Sequence, residues 1–317
     1  MKVTSTAAAY PGLPVIFAEG FSDYRKRLSG HSHVSLALTD VSEMVKTETT
    51  ATITAAGIEF KLDEHTQQES RAAAVYNLIR SMLDMAVEQT GVSIVSKNHG
   101  IITGSSDSGA AALTWVLDDL LELNLPLYRM EELARPVSET AYRSIFGGLS
   151  EYLIDSSGNV SVTQLKKASF FSNMVIYAVP FDIKRFSADD LHMRVARHAK
   201  YRDRVDQVNI RIDELRRTVD ERDLTGLMRL MELESRTVHT MFSEMGMEVI
   251  KPEMRDVIDS VLEMRAQGTD AYWNVAGGSC VYVTTLLKHA KEVTRTLKDA
   301  DIRYRNLKVA DGAKTVN

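Results

Sequence analysis

The amino-terminal stretch alternates between short apolar runs and polar interruptions, a strand-like pattern. Residues 13–18 form an unbroken apolar run that predicts a buried strand. Val34, Leu36 and Leu38 recur at every second position, and Ile58, Phe60 and Leu62 do so against Glu59 and Lys61, predicting a half-buried strand. Threonines between Thr47 and Thr54 favour extended backbone. The period then changes: Val75, Leu78, Ile79, Met82 and Ala86 share one helical face, with Gly91 as the stop and residues 92–95 as the next strand. A glycine- and serine-rich turn follows at 100–109, and Ala110, Ala111 and Ala112 open an apolar helix through Leu117, Leu120 and Leu121.

Residues 174–179 predict another buried strand. Ser187 with Asp190 three positions on predicts a helix N-cap and an acidic first turn, opening a long charged helix over 191–222. Asp223 caps a further helix carrying Leu227, Leu230, Met231 and Val238, which Gly246 closes. Met254, Val257, Ile258, Val261 and Leu262 mark another. A strand at 280–283 follows a Gly-Gly turn, and a helix at 286–297 and a strand at 302–309 complete the chain. This order predicts an α+β architecture rather than a doubly wound parallel sheet, with a weakly marked boundary near residue 180.

Composition narrows the classes. The chain has 317 residues, 44% hydrophobic and 26% charged, enough for a sizeable core. A net charge of -5 argues against a nucleic-acid surface spread over the whole protein and leaves room for a local basic pocket. The single Cys280 excludes an internal disulfide framework and a multi-cysteine metal site, and fits a reducing, cytoplasmic setting. No apolar run approaches the roughly 20 residues of a membrane span, and residues 1–9 have no secretory-signal pattern. Neither nucleic acid nor membrane is therefore an expected partner.

Three clusters carry candidate chemistry. The first, residues 98–111, has a strand leading in and a helix leading out. Such a turn presents backbone N–H groups to an anion, with the hydroxyls of Ser105, Ser106 and Ser108 as further donors. The same composition also suits a plain tight turn, and the stretch matches neither the Walker loop nor the dinucleotide fingerprint. Asp107 within it suits capping of the outgoing helix. In the second cluster, residues 138–149, Arg143 precedes Gly147 and Gly148; the glycines permit close backbone approach and the arginine bidentate oxyanion contact. The alternative there is a helix ending at Gly147 with Arg143 solvated. The third, residues 274–279, precedes a strand and is compatible with an ordinary turn. His31 and His33 share one side of a strand, as metal ligands sometimes do, without a third ligand at recognisable spacing.

In order and spacing, the three clusters resemble the mevalonate diphosphate decarboxylase branch of the GHMP kinase superfamily. That branch carries Ser-x-Ser-x-x-Arg-Ser-x-x-Gly-Gly, and Ser138, Thr140, Arg143, Ser144, Gly147 and Gly148 stand in register with it. The first cluster corresponds to the family phosphate loop and is similar in form to that of archaeal, Thermoplasma-type mevalonate 3-kinases. His31, Ser32, His33 and Ser35 fall where the decarboxylases carry Asn, Ser, Ser and Ser. The resemblance implies an N-terminal GHMP-type domain over 1–180, a C-terminal ferredoxin-like domain over 181–317, an active site between them and a homodimer.

Two departures shape the expected activity. The decarboxylases carry Asp where this chain has Ala276, and Lys where it has Phe17; the 3-kinases carry Thr and a Leu-Leu-Gly-Gly strand end there. Loss of both groups suits a substrate already phosphorylated at its 3-position. The expectation is accordingly a carboxy-lyase that converts mevalonate 3,5-bisphosphate to isopentenyl phosphate, CO2 and phosphate without ATP, other cofactor or metal. Alternatives are an ATP-dependent mevalonate 3-kinase or diphosphomevalonate decarboxylase, and a non-catalytic GHMP-fold binding protein. By the resemblance, Arg143 holds the carboxylate or adjacent phosphate of this small phosphorylated acid, and Ser105 and Ser106 stabilise the leaving 3-phosphate. Ser138 and Thr140 lie near its 5-end, while Lys184 and Arg185 form a basic pair beside the cleft. His33 donates to a phosphate, and Arg71, at a helix start, is a further candidate.

Overall fold

In the computed structural model, residues 2–69, 72–86 and 90–316 are described. Two sheets organise them. The first has six strands in the order Lys314–Thr315, Thr4–Ala9, Lys46–Thr54, Gly91–His99, Ile58–Leu62 and His65–Thr66. Lys46–Thr54 alternates between half-buried and buried positions, so one face packs inward. That face is covered by the helices Ala73–Leu83 and Ser105–Leu121, whose Leu78, Ile79, Leu117 and Leu120 share one core with Ile94 and Phe60. Ile58–Leu62 pairs parallel with Gly91–His99; the other pairings among the described residues are antiparallel, as an α+β fold requires.

The second sheet joins the two halves of the chain. Its order is Val160–Lys166, Leu149–Ile154, His33–Thr39, Arg305–Val309, Met174–Pro180, Cys280–Leu286 and Ala271–Ala276, with Gly12–Ile16 also paired to His33–Thr39. The strand Arg305–Val309 lies between strands from either side of residue 180. His33–Thr39 is buried at every position, which explains its apolar alternation with small residues rather than with charges. Helices Tyr201–Asp220, Leu224–Glu244 and Pro252–Ala266 bury Leu215, Met228, Val238 and Val261 in the cores that the sheet shares. No helix among the described residues is long and apolar enough to cross a membrane.

Several boundaries differ from the sequence pattern for local reasons. The charged helix expected over 191–222 is two, Ala188–Val195 and Tyr201–Asp220. Ser187 caps the first by accepting from the Asp190 N–H, and Asp223 caps Leu224–Glu244 through the Gly226 N–H at 2.9 Å. The serine-rich turn is shorter than expected, because Ser105 already begins a helix. Gly91 opens a strand rather than ending a helix. Gly147 has φ +66°, and a Cβ there would overlap Asp311 and Gly312, while one at Gly148 would overlap the Lys166 carbonyl: the close approaches these glycines permit are to the chain's own backbone, not to a ligand. Cys280 is a buried strand residue whose thiol burial pushes up to about 12.

One ion pair among the described residues has both side chains almost wholly buried. Arg204 clasps Glu234 through two bonds of 2.8 and 2.7 Å, and Arg211 also reaches that carboxylate. Burial raises the Glu234 pKa, but the two guanidinium groups outweigh it and hold the carboxyl ionised below its usual range. Glu234→Gln leaves Arg204 buried without its counter-charge, and a loss of about 3–5 kcal/mol in urea unfolding is expected.

Three buried histidines set the acid response. Burial lowers His31 and His239 to about 4 and drives His33 well below its ordinary value. Each must be neutral to fold, so stability is lost as pH falls below the unfolded value of about 6.5. Burial works oppositely on Glu19, raising it to about 7, so its folded form takes up one proton in the same window. The net expectation is a fall of about 3 kcal/mol per pH unit between about pH 6 and 5. Urea midpoints measured across that range check it; a flat profile would contradict it.

Candidate active site

The strand Gly91–His99 delivers the chain to a turn that ends at Gly104, in the left-handed region with φ +78°. Helix Ser105–Leu121 starts there without a side-chain cap. Its opening amides have no intrahelical acceptors, the condition that makes a helix N-terminus attract an anion. Gly104, Ser105, Ser106 and Asp107 line a cleft of about 760 Å³ between the two halves of the chain.

Asp107, in the first helical turn and 1% exposed, gathers the second cluster. Its Oδ1 accepts from the hydroxyls of Ser138 at 2.7 Å and Thr140 at 2.6 Å. Its Oδ2 accepts from Arg143 Nε at 2.8 Å and Nη2 at 2.5 Å. The Arg143 stem crosses Gly12, where any Cβ would overlap its Cδ. Arg143 sits at the start of the short helix Tyr142–Phe146, which does end at Gly147, but the guanidinium is buried against Asp107 rather than solvated. It lines the cleft with Thr140; Ser138 stands behind, bonded to Asp107 and 3.5 Å from Ser106 Oγ. A bidentate, charge-assisted pair of this kind fixes both charge and orientation.

Lys184, Arg185 and residues 275–278 of the third cluster also line the cleft. A Cβ on Gly277 would lie 3.9 Å from Arg185 Nη1, so this arginine runs beside the Gly277–Gly278 turn. Phe17 and Ala276, the two positions of departure, also line the cleft. Lys184 and Arg185 are exposed, and among the described residues neither forms an ion pair.

Four further groups in the cleft wall escaped the sequence reading as site residues: Glu19, Glu139, His192 and His239. Glu139 is held by Arg27 at 2.9 and 2.5 Å and faces His192 Nε2 at 3.3 Å. Burial works to raise its pKa, yet His192 and Arg27 keep it well below the usual carboxylate range. His192 Nδ1 accepts from the Gly20 N–H at 3.1 Å, 172 residues away in sequence. His239 Nε2 bonds the Val275 carbonyl at 2.9 Å. A separation that long leaves no local trace. The signal within reach was Glu19 itself, an acidic residue ending an apolar strand before Gly20.

The structure does not bring His33 to the cleft. It is fully buried, stacked on Tyr152 at 4.5 Å with rings 9° from parallel, and its Nδ1 pairs with the Tyr142 hydroxyl at 3.0 Å. It is a core residue, not a phosphate donor. His31 turns its Nδ1 to the Ser32 carbonyl at 2.7 Å. Arg71 lies outside the described residues.

Residues 9–163 match the diphosphomevalonate decarboxylase-like N-terminal domain, and residues 187–303 match the mevalonate-3-kinase C-terminal domain. The chain is 28% identical to the mevalonate-3-kinase of Picrophilus torridus, covering 98% of this chain and 96% of that one. It is 27% identical to the mevalonate 3-kinase of Thermoplasma acidophilum, covering 97% and 96%. The crystal structure of the Thermoplasma acidophilum enzyme with mevalonate 3-phosphate and ADP superposes with a TM-score of 0.90 at 24% identity, over 100% and 99% of the chains. Staphylococcus aureus mevalonate diphosphate decarboxylase superposes at 0.88 and 19%, also over 100% and 99%. These findings overturn the expected ATP-independent decarboxylation of a 3,5-bisphosphate, and the carboxy-lyase class with it, because full-length relatives and the C-terminal family model are those of 3-kinases. The departures at Phe17 and Ala276 therefore do not by themselves indicate a carboxy-lyase. Two-domain fold, family models and relatives agree: the chain belongs to the mevalonate decarboxylase and 3-kinase branch of the GHMP superfamily.

Proposed function

We propose that the protein is an ATP-dependent kinase that phosphorylates the 3-hydroxyl of mevalonate. The observation that carries the reading is the meeting, in one cleft, of an uncapped 17-residue helix N-terminus with the cations Arg143, Lys184 and Arg185. The names of the relatives support the choice of substrate and hydroxyl.

Phosphoryl transfer asks a protein chiefly for alignment and for stabilisation of charge on the moving phosphate. The amides of Ser105 and Ser106, with their hydroxyls, receive the transferring phosphate. Arg143, immobilised by Asp107, supplies fixed positive charge beside it. Lys184 and Arg185, without carboxylate partners among the described residues, remain available to the anions that enter: Arg185 to the mevalonate carboxylate and Lys184 to the nucleotide. The division into 1–180 and 181–317, the latter ferredoxin-like, draws support from family models that fall on either side of residue 180. Assembly into a homodimer and a cytoplasmic setting belong to the same reading.

Incubation of the full chain with mevalonate and ATP is expected to give ADP and a phosphorylated mevalonate, followed by phosphorus NMR and carbon dioxide trapping. Release of CO2 without nucleotide, or no ADP above background, would contradict the proposal. Arg185→Ala is expected to raise KM for mevalonate roughly 10- to 100-fold, the value of one charge-assisted hydrogen bond.

A further inference from the structure

We infer that Glu19 is the proton acceptor for the substrate hydroxyl, a catalytic role that rests on the kinase reading above. Three carboxylates line the cleft, and two are committed. Asp107 has four donors on its two oxygens. Glu139 is bonded by Arg27 and faces His192. Glu19 differs: it is 8% exposed, lines the same cleft as Ser105 and Ser106, and its Oε2 has no hydrogen-bond partner.

The backbone around this free oxygen is unusually well secured. The Phe17 N–H donates to Glu234 at 3.4 Å and the Phe17 carbonyl accepts from Arg204 at 3.5 Å. The Tyr201 hydroxyl donates to the Glu19 carbonyl at 3.2 Å, and the Gly20 N–H donates to His192. Side chains of four helical positions therefore fix one short segment whose Glu19 Oε2 accepts no hydrogen bond. A buried carboxylate oxygen without a hydrogen bond is costly to fold, and such cost is tolerated where the group serves a ligand.

The charged surroundings suit proton uptake. Arg204 Nη2 is 3.9 Å from Glu19 Oε2, beyond hydrogen-bond distance, and its fork is occupied by Glu234. Burial raises the Glu19 pKa to about 7 against the pull of Arg204 and His192, with Glu234 adding to the rise. A base near the working pH is the effective one. The rival is His239, whose Nδ1 is also unpartnered, but burial lowers it to about 4, too weak a base for a hydroxyl at neutral pH.

The substrate hydroxyl oxygen bonds to the γ-phosphorus of ATP. The bond from that phosphorus to the bridging oxygen breaks, leaving its electron pair on ADP. The hydroxyl proton passes to Glu19 and is released to solvent as products leave.

The test is the pH dependence of kcat for the full chain with mevalonate and ATP between about pH 6 and 8.5, beside Glu19→Gln and Glu19→Asp. The base acts ionised, so wild-type kcat is expected to fall as pH drops through about 7. Glu19→Gln is expected to lower kcat roughly 100-fold, leave both KM values within about 3-fold and abolish the acid limb. Glu19→Asp should keep the limb with reduced kcat. An acid limb intact in Glu19→Gln, with kcat within about 3-fold of wild type, overturns the inference alone. Wild-type protein that turns over nothing overturns the kinase reading and this inference together. If Glu19→Gln does not fold by circular dichroism, the other two profiles decide: a limb near pH 7 in both supports the role, and a flat wild-type profile overturns it.

Discussion

The site depends on one buried carboxylate. Asp107 stands in the first turn of the helix Ser105–Leu121, where negative charge offsets the helix dipole, yet both of its oxygens are spent on the segment 138–143. It thereby ties the anion-receiving end of one helix to the arginine that lies beside it. Neither half of this arrangement is useful alone. Without Asp107, Arg143 is a buried charge with a long flexible stem; without Arg143, Asp107 is a buried anion at the mouth of a cleft meant for anions. The pairing turns two unfavourable burials into one oriented cation.

The same logic extends across the cleft. Overall charge is -5, but the cleft also carries Lys184 and Arg185 without ion-pair partners among the described residues. Two of the three carboxylates lining the cleft are neutralised locally, Asp107 by Arg143 and Glu139 by Arg27, which limits their repulsion of an incoming polyanion. On the proposed reading, a chain that is acidic overall can thus admit mevalonate and a nucleotide, because what matters at short range is which charges remain unpaired. Structural charge is kept apart: Arg204 and Glu234 satisfy one another in the core and lend their remaining contacts to the backbone at Phe17.

The fold was largely legible because its elements announce themselves locally. The buried run before Phe17, the threonine strand and the capped helices after Ser187 and Asp223 each rest on period or capping within a few residues. The break between Val195 and Tyr201 was hidden, since charged residues continue through it. The site was half legible. Motif register found Ser105, Ser106, Thr140, Arg143, Lys184 and Arg185, all of which line the cleft. It misjudged His33, whose burial is decided by the aromatic stack with Tyr152 and not by its own strand. It passed over Glu19, Glu139 and His192, because their roles arise from contacts between distant segments. Activity was misjudged for a related reason: two substitutions were weighed at their own positions, while the acidic groups elsewhere in the cleft were invisible until the chain was folded.

The proposed activity depends on Asp107 acting through Arg143. A double-mutant cycle with Asp107→Asn and Arg143→Gln, read as kcat/KM for ATP-dependent phosphorylation of mevalonate, measures that dependence directly. The expected result is strong coupling, on the order of 2 kcal/mol, with the double variant scarcely slower than Arg143→Gln alone. Losses that add to within about 0.5 kcal/mol would contradict it.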